Sequence, residues 1–278
     1  MTVFLNGEFV PEERALVSIF DRSFRYGDGL FEAVLVSNGK LFRWAQHFER
    51  LQRSAQFLRI GLPYSGDELR EAALELVRRN SQPEAIVRLA LSRGSGPRGY
   101  VPNGDEKAVI AISIQPASSS SSEPWKLISC SLRVPAGDVL QQHKTANRLL
   151  NVLAAIEARE RGANEALFID IDGNVTEGAS SNVFWVTEGK IATPPVSSGV
   201  LPGVTRGLVF ELCREQEMLI EERTASVAEL QRADGVFATL TSRGIVEAVQ
   251  LDGKDIARSP LASTLATGYR AVLQRECG

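Results

Sequence analysis

His143-Lys144-Thr145-Ala146-Asn147-Arg148-Leu149 and, further along the chain, Val175-Thr176-Glu177-Gly178-Ala179-Ser180-Ser181-Asn182 are the stretches whose reading decides the fold. The first leads a lysine into a helix: over Lys144 to Arg161, Leu149, Leu150, Leu153, Ile156 and Ala158 give an apolar, buried face, and Gly162 ends the pattern. The second places a glutamate at the edge of a strand, after the Asp172-Gly173 turn and before the apolar run Val183 to Val186. A lysine amine can condense with a carbonyl, and a carboxylate can keep a proton on a basic nitrogen. Either residue alone is more often a solvated charge, so their meaning rests on context.

Outward from these stretches the chain alternates strands and helices. Val3 to Leu5, Asn6-Gly7 and Glu8 to Val10 read as a hairpin, and Phe31 to Val36, Asn38-Gly39 and Leu41-Phe42 repeat that grammar. Phe48, Leu51, Ala55 and Leu58 fall at helical spacing over Ala45 to Ile60, with Arg50 beside the stripe, and a second helix follows from Gly66 to Arg79. Ala85 to Ser92 and Ala108 to Ile114 read as strands flanking a glycine-rich loop. Ser118 to Ser122, five consecutive serines, cannot contribute to a core and suggest a connection. They set the expected domains as 1–117, a linker at 118–124, and 125–278. Beyond them come a strand from Lys126 to Val134, strands at Ala166 to Ile169, Val183 to Val186 and Lys190 to Ala192, and a helix opened by Gly199 to Thr205. Strands at Val236 to Leu240 and Ile245 to Leu251 and a closing helix from Pro260 to Arg275 complete the chain.

Composition narrows the class. With 278 residues, 44% hydrophobic and 23% charged, the chain is that of a globular protein able to bury a large core. A net charge of only −3 leaves no electrostatic footprint for nucleic acid. The most continuous apolar stretch, Ala108 to Ile114, is too short to cross a bilayer, and no signal-peptide pattern opens the chain, which points to a cytoplasmic protein. Three dispersed cysteines, Cys130, Cys213 and Cys277, argue against disulfides and zinc, and with only His47 and His143 no histidine metal centre is expected.

Other local patterns carry less. The loop Gly199 to Arg206 delivers backbone amides to a helix N-terminus, a plausible anion cup, although Thr205 could equally be a simple cap. Gly94-Ser95-Gly96-Pro97-Arg98-Gly99 is formally G-x-G-x-x-G, but Tyr100-Val101-Pro102-Asn103-Gly104 continues as loop where a dinucleotide fold needs a helix. A loop offering Arg93 or Arg98 to a substrate carboxylate is the better reading. Asp170, Asp172 and Asn174 resemble the start of a calcium loop, but Val175 and Ser181 stand where glycine and glutamate are required.

Taken in order, several segments resemble the class IV aminotransferases, the fold-type IV pyridoxal phosphate enzymes. They are Asp21-Arg22 with Tyr26-Gly27-Asp28-Gly29-Leu30-Phe31-Glu32, His47-Phe48-Glu49-Arg50-Leu51, the Arg93 to Tyr100 loop, Lys144 with Asn147, Glu177 to Phe184, and Leu201-Pro202-Gly203-Val204-Thr205-Arg206. The resemblance implies an α/β (α+β) protein with a small N-terminal α/β domain and a larger C-terminal domain with a barrel-like sheet. It further implies sites that draw on a second subunit, hence a homodimer, and an amino acid and a 2-oxo acid as substrates. By the same resemblance Lys144 is the Schiff-base lysine and later the general base, and Glu177 faces the pyridine nitrogen of pyridoxal 5′-phosphate. Arg50 pairs with the phosphate, joined by Val204, Thr205 and the hydroxyl of Thr241, with Leu240 and Ser242 leaving that last register open by one residue.

Subfamily signals diverge. Ser181-Asn182-Val183-Phe184 and Ala146-Asn147-Arg148 depart from the branched-chain enzymes. Val175 to Phe184 and Arg98, the implied substrate-carboxylate ligand, resemble D-amino acid aminotransferases, while Tyr100 and Phe31, the other implied substrate contacts, depart from them. Arg98-Gly99-Tyr100, Asn147-Arg148-Leu149 and Arg243-Gly244-Ile245 resemble aminodeoxychorismate lyases, which release pyruvate and leave 4-aminobenzoate. The expectation is an aminotransferase of D-amino acid type, with the lyase as the alternative.

Overall fold

The structure, a computed structural model, describes residues 1–117 and 123–278, so the serine run expected as a linker lies outside the described residues. The chain divides into two compact units: Met1–Ser119 with His143–Arg148 and Arg275–Gly278, and Ser120–Gln142 with Leu149–Gln274.

The first unit contains β1 (Thr2–Leu5), β2 (Glu8–Pro11), α1 (Arg22–Tyr26), β3 (Gly29–Ser37), β4 (Lys40–Leu41), α2 (Trp44–Leu58), α3 (Gly66–Arg79), β5 (Ala85–Ser92) and β6 (Val109–Pro116). Its sheet has six strands in the order β2-β1-β6-β5-β3-β4, all pairs antiparallel. Both asparagine-glycine turns have positive φ at both residues, 50° and 99° at Asn6 and Gly7 and 48° and 74° at Asn38 and Gly39, the twist that two-residue hairpins require. Val36, Val87, Leu89, Leu91, Ile110 and Ile112 pack against Leu51, Ala55, Leu69, Ala73 and Leu76 of α2 and α3. Ser65 and Glu68 form a reciprocal capping box that starts α3.

One buried polar cluster interrupts that core. Glu32 on β3, 3% exposed, accepts bonds from Arg50 Nε (2.8 Å) and Nη2 (2.7 Å) and meets His47 Nδ1 at 2.8 Å. Burial alone would raise the Glu32 carboxyl, but the charge and fork of Arg50, with the His47 bond, overcome it and hold the group down to about 2. Burial pushes His47 below the ordinary histidine value despite its Glu32 partner.

The second unit contains β7 (Trp125–Val134), α4 (Leu149–Glu160), β8 (Glu165–Asp170), β9 (Val175–Gly178), β10 (Asn182–Thr187), β11 (Lys190–Thr193), α5 (Val204–Glu215), β12 (Ile220–Glu222), α6 (Val227–Leu230), β13 (Gly235–Leu240), β14 (Gly244–Leu251), β15 (Lys254–Asp255) and α7 (Pro260–Cys277). Its nine-stranded sheet curls into a half-barrel, with the order β12-β11-β10-β13-β14-β7-β8-β9 and β15 paired to β14. The sequence neighbours Phe184 and Trp185 are both fully buried, so the sheet is covered on both faces, which is why these strands read as continuous apolar runs. Phe184 stacks on Phe237 across the β10–β13 pair at 4.9 Å.

Two expectations around Lys144 are corrected. The helix begins at Leu149, and residues 144–146 lie outside it, because their backbone groups are spent on β3: Phe31 N donates to Lys144 O (2.9 Å) and Ala146 N to Gly29 O (2.8 Å). The expected buried stripe of this helix is also largely outside, with Leu149 66%, Leu153 45% and Ile156 48% exposed. The face that packs on Ile128, Val134, Ala166 and Phe168 is Ala154 with Ala158 and Leu150 of the expected stripe, and the small alanines let the helix approach β7 and β8 closely. No helix among the described residues is long and apolar enough to cross a membrane.

Two measurements follow from this packing. Neutral His47 and ionised Glu32 are both stabilised by folding, so their contributions are complete at pH values above the unfolded values of 6.5 and 4.5. Acidification should first lower the urea midpoint as pH falls below 6.5, then more steeply between 4.5 and about 2; Glu32→Gln should flatten the second phase. Leu76→Ala, which empties a site with 0% exposure, should cost about 2–5 kcal/mol in denaturant unfolding.

Candidate active site

In the first unit Lys144 is fastened to β3 by the two backbone bonds given above, and by the bridge between Thr145 and Leu30. Its neighbour His143 stacks on Phe57 at 4.1 Å and shares a bond with Ser54 Oγ at 3.0 Å, both on α2. Arg148 closes the segment by donating to Thr145 O (3.2 Å) and His143 O (2.8 Å). The Lys144 Nζ lies 4.6 Å from the centroid of the Phe31 ring. Strand alternation turns Phe31 to the opposite sheet face from Glu32, yet the Lys144 charge is near enough to the Glu32–His47–Arg50 cluster to help push His47 below its ordinary value. Arg50, expected at a phosphate, is placed in a fork with Glu32 and is 4% exposed.

Arg88 was not singled out in the sequence. Its guanidinium sits 3.8 Å from the same Phe31 centroid, and burial lowers its proton affinity. The available signal was a charge inside the otherwise apolar run Ala85 to Leu91.

The loop after β5 divides its two arginines. Arg93 donates to both Asp28 oxygens (2.8 and 3.0 Å) and to the carbonyls of Arg59 (2.7 Å) and Leu58 (2.8 Å), which corrects its reading as a candidate for a substrate carboxylate. Arg98 and Tyr100 stand exposed, Tyr100 by 86%, with its ring 5.6 Å from that of Tyr26. No helix follows before β6 among the described residues, so the G-x-G-x-x-G pattern has no helix terminus to serve.

In the second unit Glu177, 6% exposed, lies within β9, and its Oε2 accepts from Leu201 N (2.8 Å) and Asn182 Nδ2 (3.3 Å). Gly203 is required beside it, since a Cβ there would come within 2.1 Å of Asn182 Oδ1. Gly203 is also the N-cap of α5 and leaves its first turn without a side-chain cap or an acid. Thr205, 6% exposed, is the second residue of that helix and does not cap it; Val204 precedes it, half-buried. Thr241 is half-buried in the turn from β13 to β14, as are Leu240 and Ser242. Thr239, opposite Asn182 in register, has a buried Oγ1 with no hydrogen-bond partner among the described residues. An uncapped helix terminus, a close-approach glycine and an orphaned hydroxyl fit a phosphate, and a buried carboxylate suits a protonated ring nitrogen.

A second buried acid was missed in the sequence. Glu165, 3% exposed, accepts from Ser180 N and Oγ (3.1 and 2.6 Å) and Ser181 Oγ (3.0 Å), bracing the turn after Glu177, and burial raises its carboxyl above the ordinary range. Asp170 Oδ1 accepts from Asp172 N and Asn174 N, so the calcium-like pattern is a turn. No group of three metal-ligating side chains occurs among the described residues.

The Amino-transferase class IV family model matches residues 29–251. The chain is 36% identical to a putative branched-chain-amino-acid aminotransferase of Methanocaldococcus jannaschii over 92% of this chain and 90% of that protein. It is 33% identical to a D-alanine aminotransferase of Bacillus licheniformis over 97% and 96%. Among solved structures, the branched-chain aminotransferase of Thermoproteus uzoniensis with norvaline superposes with a TM-score of 0.92, at 32% identity over 99% of this chain and 96% of that one. The T.th. branched-chain aminotransferase with pyridoxamine 5′-phosphate gives 0.91, at 29% identity over 99% and 94%. A putative 4-amino-4-deoxychorismate lyase of Legionella pneumophila gives 0.89, at 28% identity over 94% and 97%. The chain belongs to the class IV aminotransferases, enzymes that move amino groups with pyridoxal 5′-phosphate.

Proposed function

We propose that this aminotransferase exchanges the amino group of a D-amino acid with a 2-oxo acid, as a cytoplasmic homodimer. Support for the D-amino acid type comes from the Val175 to Phe184 stretch, from Arg98, and from likeness to D-alanine aminotransferases over nearly the full chain. The carrying observation for the residue roles is the lysine held on the Phe31 face of β3, its amine and the Arg88 guanidinium against one ring.

When bound, pyridoxal 5′-phosphate supplies an aldehyde carbon for amines and a ring that draws electrons from the substrate Cα. Lys144 is the amine that holds it and, once displaced, the base that carries the proton at Cα. Its backbone pairing with β3 fixes the origin of that swing. Glu177 keeps the proton at the ring nitrogen. Val204 and Thr205 offer α5 backbone N–H groups to the phosphate, with Arg50 and the Thr241 hydroxyl as further ligands. Phe31 walls the reacting face, Arg98 takes the substrate carboxylate, and Tyr100 flanks it.

Apolar exposure in each unit supports the homodimer. On α4, Leu149, Val152, Leu153 and Ile156 are 45–66% exposed; in the first unit Leu16, Ile19, Phe20 and Phe24 are 61–79% exposed. A second reading, the lyase, is favoured by the Arg98-Gly99-Tyr100 stretch and the likeness to the Legionella pneumophila protein.

Lys144→Ala should abolish turnover and the borohydride-sensitive yellow absorbance of the purified protein. Glu177→Gln should retain cofactor but lower kcat by about 10²-fold or more, read in steady-state assays. Assays with D-alanine, L-leucine or aminodeoxychorismate separate the readings: amino transfer from D-alanine to 2-oxoglutarate is expected, whereas 4-aminobenzoate with pyruvate would establish the lyase and transfer from L-leucine alone the branched-chain type.

A further inference from the structure

Arg22 is 2% exposed, yet neither its neighbours in sequence nor the core needs a charge there. Its Nε donates to Asp28 Oδ2 (2.8 Å), and its two remaining nitrogens reach across to the loop after β5, Nη1 to Gly99 O (3.0 Å) and Nη2 to Tyr100 O (2.7 Å). Asp28 is shared with Arg93 at the start of that loop, so one carboxylate ties both ends through two guanidinium groups. Around this fork the loop is fastened along its length. Arg22 N donates to Gly94 O (2.9 Å), Asp21 bridges Ser95, and Gly99 N donates to the Tyr26 hydroxyl (3.1 Å). The Tyr26 ring takes the Arg22 guanidinium at 5.1 Å on its face and packs beside Tyr100. Gly94 has φ of 98° and a Cβ there would lie 1.9 Å from Lys107 O, so the loop root is equally constrained.

The bonds from Arg22 land on the two residues that follow Arg98. A planar guanidinium holds its three nitrogens in fixed mutual directions, so binding Asp28 through Nε sets where the two carbonyls must be. Without it, two loop carbonyls lose their guanidinium partner together, and the Gly99 turn, in the left-handed region at 117°, is left with the Tyr26 hydroxyl and ring as its remaining contacts. We propose that Arg22 is a positioning residue that fixes the substrate-reading loop and thereby sets affinity for the substrate carboxylate. This rests on the reading of Arg98 as the carboxylate ligand.

The test uses the holoenzyme, with the amino acid and 2-oxo acid pair that it turns over. Arg22→Lys keeps the charge beside Asp28 but cannot reach both carbonyls; Tyr26→Phe removes only the hydroxyl that receives Gly99 N–H and stands in should Arg22→Lys not fold. Cofactor absorbance and Tm report folding. Arg22→Lys should raise KM for both substrates by about tenfold with kcat changed by less than about twofold, the loss that misplacing a positioning group produces. It should also speed tryptic cleavage after Arg98 relative to wild type; Tyr26→Phe should do both more weakly. Arg98→Ala should raise KM by itself, and Arg22→Lys added to it should cost nothing further. Arg98→Ala raising KM while Arg22→Lys and Tyr26→Phe leave KM and cleavage at wild-type values would overturn the proposal and leave the Arg98 reading standing. Losses that add independently in the double variant would overturn it too. If Arg98→Ala leaves KM unchanged while Arg22→Lys raises it, the Arg98 reading fails and the positioning role stands on the rest of the loop.

Discussion

Two backbone hydrogen bonds, Phe31 N to Lys144 O and Ala146 N to Gly29 O, are the constraint that fixes the Lys144 segment to the sheet of the first unit. A lysine side chain has four rotatable bonds, and its reach is useful only if its Cα is fixed. Anchoring that Cα in a segment bonded to β3, where it cannot join a helix, makes the strand the reference frame for the amine. The same strand carries Phe31 beneath the amine and Glu32 on the reverse face. Placing the amine therefore reduces to the register of β3 with β5, which eight consecutive residue pairs fix from Gly29↔Ser92 to Val36↔Ala85.

Buried charge brings precision at the expense of acid tolerance. Glu32 is surrounded by a full set of donors, so its ionised form is preferred even out of water, and the Arg50 fork locks α2 to β3 in one orientation. Replacing such a cluster by apolar side chains could keep the helix packed, but would not specify which turn of α2 faces Glu32. Glu165 serves a comparable purpose in the second unit, where it braces Ser180 and Ser181 directly behind Glu177. Both units thus use a buried carboxylate to hold neighbouring elements in place.

Much of this was legible in the chain itself. The asparagine-glycine turns, the amphipathic α2 and α3 and the apolar strand runs are local signals, each written within a few residues, and they were realised because the tertiary contacts agree with them. The role of Arg93 was not legible, because its partners Asp28, Leu58 and Arg59 are distant in sequence and an arginine beside a glycine-rich loop looks the same whether it staples backbone or awaits a ligand. Arg88 was passed over for the converse reason. A lone charge in a strand reads as a solvated position until the ring it covers is known.

The clearest division falls within one short stretch. Sequence alone determined that a helix runs through this stretch, read from Lys144 to Arg161 and observed from Leu149 to Glu160, because helical periodicity and a terminal glycine are properties of neighbours along the chain. Only the tertiary structure decided that Lys144 belongs to the other unit's sheet, and that the helix packs by Ala154 and Ala158 with Leu149 and Leu153 outward. Periodicity records that a helix has an apolar side. Which side meets the sheet depends on the space available above β7 and β8, and that space is set by residues far away in the chain.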